Sequence, residues 1–361
     1  MAEKVSSIDR ARIALNVIKQ RYELSRQFKS GEIEQKRKEK LAAGDYPWRI
    51  IRYPRIINPE DLGYPIARLG YVTPKTLEQH LRHLVKDCRV VALEHLVDDI
   101  INEQPIPEKT VAITFDGGWV DHFAFVGPLV KDLQIPATIF LPTGFIGTNN
   151  YFWEDKLMFV LLMMRERGMK FIPFDFFPKE LLAALDEISA DGTISLEYAR
   201  AVVIIISTLG PTERTAAMMV FGEIMEHLGG AIPGEPAFMS WEEVKLLKRI
   251  GFSFGSLGHR HREIAEFSRE DFERDTLESF EMLDLMGVGG ARLLAVAEDM
   301  LTENSSEKVK DTRACDALFA IKLPGDDNQL IRSGNVATFL RQHISEQEAP
   351  SVEGLSASLW I

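Results

Sequence analysis

Two nearly uninterrupted apolar runs, "TVAITFD" (110–116) and "ATIFLP" (137–142), flank the segment "FAFVGPLVKDLQI" (123–135). A strand with one face in water alternates polar and apolar residues, whereas a run apolar throughout is covered on both faces. The intervening segment reads as a helix, so the order is strand, helix, strand, a parallel βαβ unit. Asp116 then falls at the carboxyl end of its strand, just before Gly117 and Gly118. Parallel α/β folds place their chemistry at that end.

The rhythm extends in both directions. "TPKTLEQHLRHLVKD" (73–87) reads as a helix with a threonine cap and proline in its first turn, and "RVVAL" (89–93) as a strand. "SWEEVKLLKRIGFSFGS" (240–256) opens with the spacing of a capping box, Ser240 and Glu243, and leads into a strand near 252–256. A helix near 268–286 and strands near 292–297 and 316–322 follow. Residues 151–238 break the rhythm with Met- and Leu-rich helical stripes, and are expected to be a helical insertion whose stripes form a core. Residues 1–48 are expected to form a basic helical arm, with Ala11, Leu15, Ile18 and Tyr22 on one stripe. The tail, 346–361, is polar and then ends in "LWI".

A chain of 361 residues, 45% hydrophobic, can bury a large core in one to three domains. The net charge of −12 gives no general affinity for nucleic acid. Residues 1–55 nevertheless hold 14 Lys+Arg against 7 Asp+Glu, a local +7 that leaves −19 for the rest. This basic part, including "KRKEK" (36–40) and "RIIRYPR" (49–55), reads as a solvated helix face, or else as a contact with an anionic membrane surface. Cys88 and Cys315 lack any metal or redox spacing and read as buried thiols. Charges interrupt every apolar run at the N-terminus, and no stretch has the ~20 apolar residues of a membrane span. A cytoplasmic location is expected, at most at the inner membrane face.

The stretch 110–147, "TVAITFDGGWVDHFAFVGPLVKDLQIPATIFLPTGFIG", resembles the first catalytic segment of the polysaccharide deacetylase family, the NodB-homology fold. Residues 240–283 resemble the family's helix, strand and metal-binding segment, and 52–56 with 71–84 its upstream region. The resemblance implies an irregular (β/α)7-type barrel over 49–345. It also implies metal-assisted removal of acyl groups from sugars, hence a glycan partner. In that chemistry a divalent ion, zinc or a relative, is held by one Asp and two His, polarises the acyl carbonyl and acidifies a water. A second Asp takes the proton, and a His near the chain end serves as the acid.

Carried over by position, Asp116 is the family's base. The metal-ligand Asp has become Gly117, the first ligand His has become Leu257, and the second survives as His261. Two of three donors are thus replaced by side chains that bind no metal, and one His beside one carboxylate holds an ion weakly. The resemblance also marks Arg332 as similar to a late family Arg and His343 as a candidate acid, while Trp119, which reads as lining a sugar-sized groove or as core, Asp121 and Thr143 are further candidate substrate contacts. The alternative for His343 is a helix-surface residue; for Asp116, a helix cap or a partner of the Gly-Gly turn; for Asp121, a cap of the same turn; for His259, a solvated loop residue. A different metal set, Asp116/His122/His261 or His259/His261, is conceivable but disfavoured, since residues two apart in an extended loop point opposite ways.

Three functions follow: a deacetylase-like domain without metal catalysis that binds a glycan or a partner; a hydrolase of N-acyl or formyl sugars using Asp116 with an unusual metal or none; and a scaffold docking its basic arm on a membrane. The first is the expectation, with no cofactor.

Overall fold

The computed structural model describes residues 48–58, 60, 70–177, 179–229, 237–296, 303–321, 330–346 and 349–360. The expected basic arm lies outside these residues apart from Trp48. Two compact units divide the chain, the smaller containing 151–235 and the larger the stretches 70–150 and 236–361.

The larger unit is a mixed α/β structure around one sheet, as the resemblance implies. Its strands are β1 (Arg49–Tyr53), β2 (Arg55–Ile56), β3 (Tyr71–Val72), β4 (Arg89–Val90), β5 (Thr110–Asp116), β6 (Ala137–Leu141), β7 (Phe252–Ser256), β8 (Leu293–Ala295), β9 (Ala317–Ala320), β10 (Leu330–Ser333), β11 (Val336–Leu340) and β12 (Gln342–His343). The sheet order is β10-β11-β9-β8-β7-β6-β5-β1-β12, with β4 also on β5 and β2-β3 a separate pair. The described pairings are parallel except β10 with β11. Every residue of β5 and β6 is buried, which is why their sequences lack alternation.

Local chemistry sets the helices that cover this sheet. Thr73 caps Pro74–Asp87 by accepting from the Thr76 amide, and Leu77, Leu81 and Leu84 line its buried face. Ser240 and Glu243 complete the capping box of Trp241–Arg249. Ser268 caps Arg269–Leu285. The C-terminal tail holds a helix, Val352–Trp360, fixed to the first one where His83 bonds Ser356 Oγ at 3.0 Å.

Three local expectations need correction. "RVVAL" supplies only the two-residue β4, because a helix begins at Leu93 and its Leu96, Val97 and Ile100 are needed in the core. The helix expected over 123–135 is divided into a π-turn, His122–Val126, and an α-helix, Gly127–Leu133. "RIIRYPR" is strand and its arginines turn inward: Arg49 Nε donates to the Leu359 carbonyl at 2.6 Å, and Arg52 and Arg55 meet carboxylates. Over 49–55 the basic stretch is therefore strand rather than a solvated helix face, while "KRKEK" lies outside the described residues.

The smaller unit contains the helices Trp153–Glu166, Lys179–Ile188, Leu196–Thr208 and Pro211–His227. Leu157, Met158, Leu161, Tyr198, Val202 and Phe221 are among its core, so the methionine stripe is packing material. No described helix is long and apolar enough to cross a membrane.

Candidate functional site

Strand register brings the site together. Arg52 of β1 stands opposite Thr114 of β5 on one side and His343 of β12 on the other. Asp116, two residues beyond Thr114, pairs with Phe140 of β6. Arg341, just past β11, is held by its amide on the Ala320 carbonyl at 2.7 Å. Three strand ends thus converge on Asp116.

Its carboxylate is held from two sides. Arg341 makes a two-pronged contact, Nη1 to Oδ1 at 2.5 Å and Nη2 to Oδ2 at 2.9 Å. Arg52 Nε donates to Oδ2 at 2.7 Å, and its Nη1 donates to His343 Nδ1 at 2.7 Å. Arg341 is wholly buried, its guanidinium 5.0 Å from the centre of the Phe140 ring. Burial pushes the Asp116 carboxyl up, but Arg341 and then Arg52 outweigh it and hold the acid at about 2. The expected roles, a cap or a bond to the Gly-Gly backbone, give way to this clamp. His343 is a half-buried strand residue two bonds from Asp116 through Arg52, not a helix-surface one.

Gly117 and Leu257, which the resemblance marks as replaced ligand positions, are both filled. Gly117 has φ +105°, and a Cβ there would lie 2.8 Å from Trp119 Cδ1 and Cε2, nearer still to the indole nitrogen. Trp119 lies stacked on Phe238, ring centres 4.5 Å apart, with the Arg55 guanidinium 4.3 Å from its own. It is 6% exposed, so it does not line an open groove. Leu257 belongs to the apolar core with Phe140, Ala295, Phe319 and Phe339.

His261, the ligand position that the resemblance retains, is placed otherwise. His261 adopts the left-handed conformation, φ 50°, and its ring meets Phe145 edge-on at 6.4 Å. Phe145 in turn packs on Phe238, so contacting rings run from His261 to Trp119. His259 turns elsewhere, its Nδ1 3.0 Å from Thr143 Oγ1. Thr143 gives its one hydroxyl proton to Ser279 Oγ, which leaves His259 as the donor. His259 is therefore bound rather than solvated, and Thr143 is buried structural support. Asp275 anchors the same loop by accepting from the amides of His259 and Arg260 and from Arg260 Nε.

Asp121 pairs with Arg55 at 3.2 Å and makes no helix-cap bond. His122 is fully buried and donates from Nε2 to the Pro54 carbonyl at 2.9 Å; burial lowers its pKa, so the ring is neutral. Arg332 is exposed and donates to the Ile100 carbonyl at 2.7 Å, away from the strand ends. No three His, Cys, Asp or Glu side chains among the described residues form a cluster able to hold a metal ion. The donor set does not fit the family's ion: one carboxylate already engaged by two guanidiniums, a glycine under an indole, a leucine in the core. Arg52, Arg341 and Asp275 escape the sequence motif, though Arg341 ends the apolar run "VATFL" just as Asp116 ends its own.

A mostly parallel α/β sheet with Asp116 and His343 at neighbouring strand ends is a fold of the kind that the resemblance implies. Residues 103–187 match the family described as polysaccharide deacetylase. Among solved structures the chain is similar to IcaB from Ammonifex degensii, at 14% identity and TM-score 0.50, covering 87% of this chain and 98% of that one. It is also similar to the Streptococcus pyogenes deacetylase PplD in complex with acetate, at 15% identity and TM-score 0.47, covering 87% and 97%. At such identity the likeness is one of fold. No curated protein matches by sequence. Residues 103–187 therefore match the polysaccharide deacetylase model, in a chain whose fold is similar to that of IcaB.

Proposed function

We propose that this chain is a deacetylase-like protein of carbohydrate or cell-envelope metabolism that has lost metal-dependent hydrolysis and acts by binding a glycan. The observation that carries this reading is the doubly clamped Asp116 beside the Trp119-covered Gly117. A general base works best with a pKa near the operating pH. A carboxyl held at about 2 accepts a proton poorly, and its lone pairs are directed at Arg341 and Arg52. The clamp counts equally against a metal-free hydrolase that relies on Asp116. The binding role is supported by the family match alone, since the retained fold otherwise carries a site without its chemistry.

The test is turnover. Purified protein supplied with zinc, nickel or cobalt is incubated with chito-oligosaccharides, and free amine is measured. The reading expects no product above a denatured control. Metal-dependent deacetylation that Asp116→Asn abolishes would overturn it.

A further inference from the structure

We propose that the Arg52–Asp116–Arg341 cluster is an anion site that accepts an oxyanion, carboxylate or phosphate, carried on a sugar. The inference rests on the glycan-binding reading and names the chemistry of the ligand. Its ground is charge. Arg341 and Arg52 bring two positive charges to the single carboxylate of Asp116, an excess of one. His343 does not offset it: arginine only donates, so the Nδ1 facing Arg52 is the unprotonated nitrogen and brings no negative charge. The neighbouring Arg55 is paired with Asp121 rather than with Asp116. This local excess stands in a chain whose net charge is −12, so composition does not explain it. A cation withdrawn from water without a counter-charge is unfavourable, and an incoming anion removes that cost.

Geometry says where the anion would sit. Arg52 has Nε on Asp116 and Nη1 on His343, while its Nη2 donates to no described residue. The side chain remains 15% exposed, against none for Arg341. A guanidinium held by two of its nitrogens is already oriented, and the remaining amino group suits a carboxylate or phosphate oxygen. Arg52 is therefore the contact, and His343 a positioning residue that fixes the plane of its guanidinium.

Calorimetric titration of the full chain at low salt tests this, with glucuronate, glucose 6-phosphate, inorganic phosphate and glucose as probes. The sugar anions should bind saturably and glucose should not. Arg52→Gln should weaken the sugar anions by about tenfold or more. His343→Gln keeps the charge but loosens the guanidinium, and should weaken binding less; it also decides the matter if Arg52→Gln fails to fold. Folded wild-type protein that binds neither sugar anion, or variants that bind them as wild type does, would overturn the proposal. Inorganic phosphate bound as tightly as glucose 6-phosphate would overturn the sugar-borne ligand. A neutral chito-oligosaccharide bound equally by wild type and Arg52→Gln would sink the anion site while leaving the glycan-binding reading in place. Metal-dependent turnover sinks that reading instead.

Discussion

Trp119 folds its indole back over the α-carbon of Gly117, so closely that residue 117 has no room for a side chain. The glycine is thus required twice, by the ring and by φ +105°, which L-residues rarely adopt. Gly117→Ala should destabilise the protein by about 1–3 kcal/mol from backbone strain, with further loss from displacing the ring. Urea unfolding checks this. Adding Trp119→Ala to Gly117→Ala should remove the steric part and leave the backbone part, so the double variant should cost less than the sum of the singles.

The same relationship governs any attempt to build the cation site that the resemblance implies. Gly117→Asp with Leu257→His restores donor types but not space, and should gain no ion. Only with Trp119→Ala added, and Arg52→Ala to release one oxygen of Asp116, should metal analysis detect zinc. An ion in the two-residue variant would show that the indole is easily displaced.

Removing one partner of a buried pair strands the other. Arg341→Met leaves Asp116 with Arg52 alone, and Asp116→Asn leaves two guanidiniums without a carboxylate. Each should cost about 3–5 kcal/mol in chemical denaturation. The sign with pH is fixed by the lowered pKa. Asp116 ordinarily titrates at 3.8 and in the fold at about 2, so its contribution is complete above 3.8 and is lost as pH falls towards 2. Asp116→Asn should flatten that part of the acid stability curve.

His80 gives a second window. Its Nδ1 lies 3.3 Å from the Tyr53 hydroxyl and its Nε2 3.3 Å from the Ser351 carbonyl, joining the first helix to the C-terminal tail. Burial lowers its pKa from 6.5 to about 4, the bond to Ser351 opposing. The fold therefore prefers the neutral ring, and the unfolded chain binds more protons between these values. Stability should fall as pH drops from 6.5 to 4 and this contribution should level off below. His122, buried and also shifted down, acts in the same direction. His80→Gln should reduce the slope in that window, measured by thermal melts across pH.

Much of this was legible in the sequence. Continuous apolar runs gave the parallel strands because β5 and β6 are covered on both faces, and Ser240 with Glu243 marked a helix start that the structure repeats bond for bond. The resemblance marked Gly117 and Leu257 by position. What fills their places could not. Trp119 reaches Gly117 through a turn conformation that no local pattern encodes. Arg341 reaches Asp116 from 225 residues away, through strand order rather than spacing. Arg52 and Arg55 were hidden in a basic stretch read as a solvated helix face, because charge content does not reveal which residues find buried partners.

The most direct measurement is zinc titration of the unmodified protein by calorimetry, after chelation and dialysis. With the carboxylate of Asp116 committed to Arg341 and Arg52, and Trp119 over Gly117, no stoichiometric heat of binding is predicted. One ion bound per chain with micromolar affinity or better, and lost in both Asp116→Asn and His261→Ala, would contradict the account.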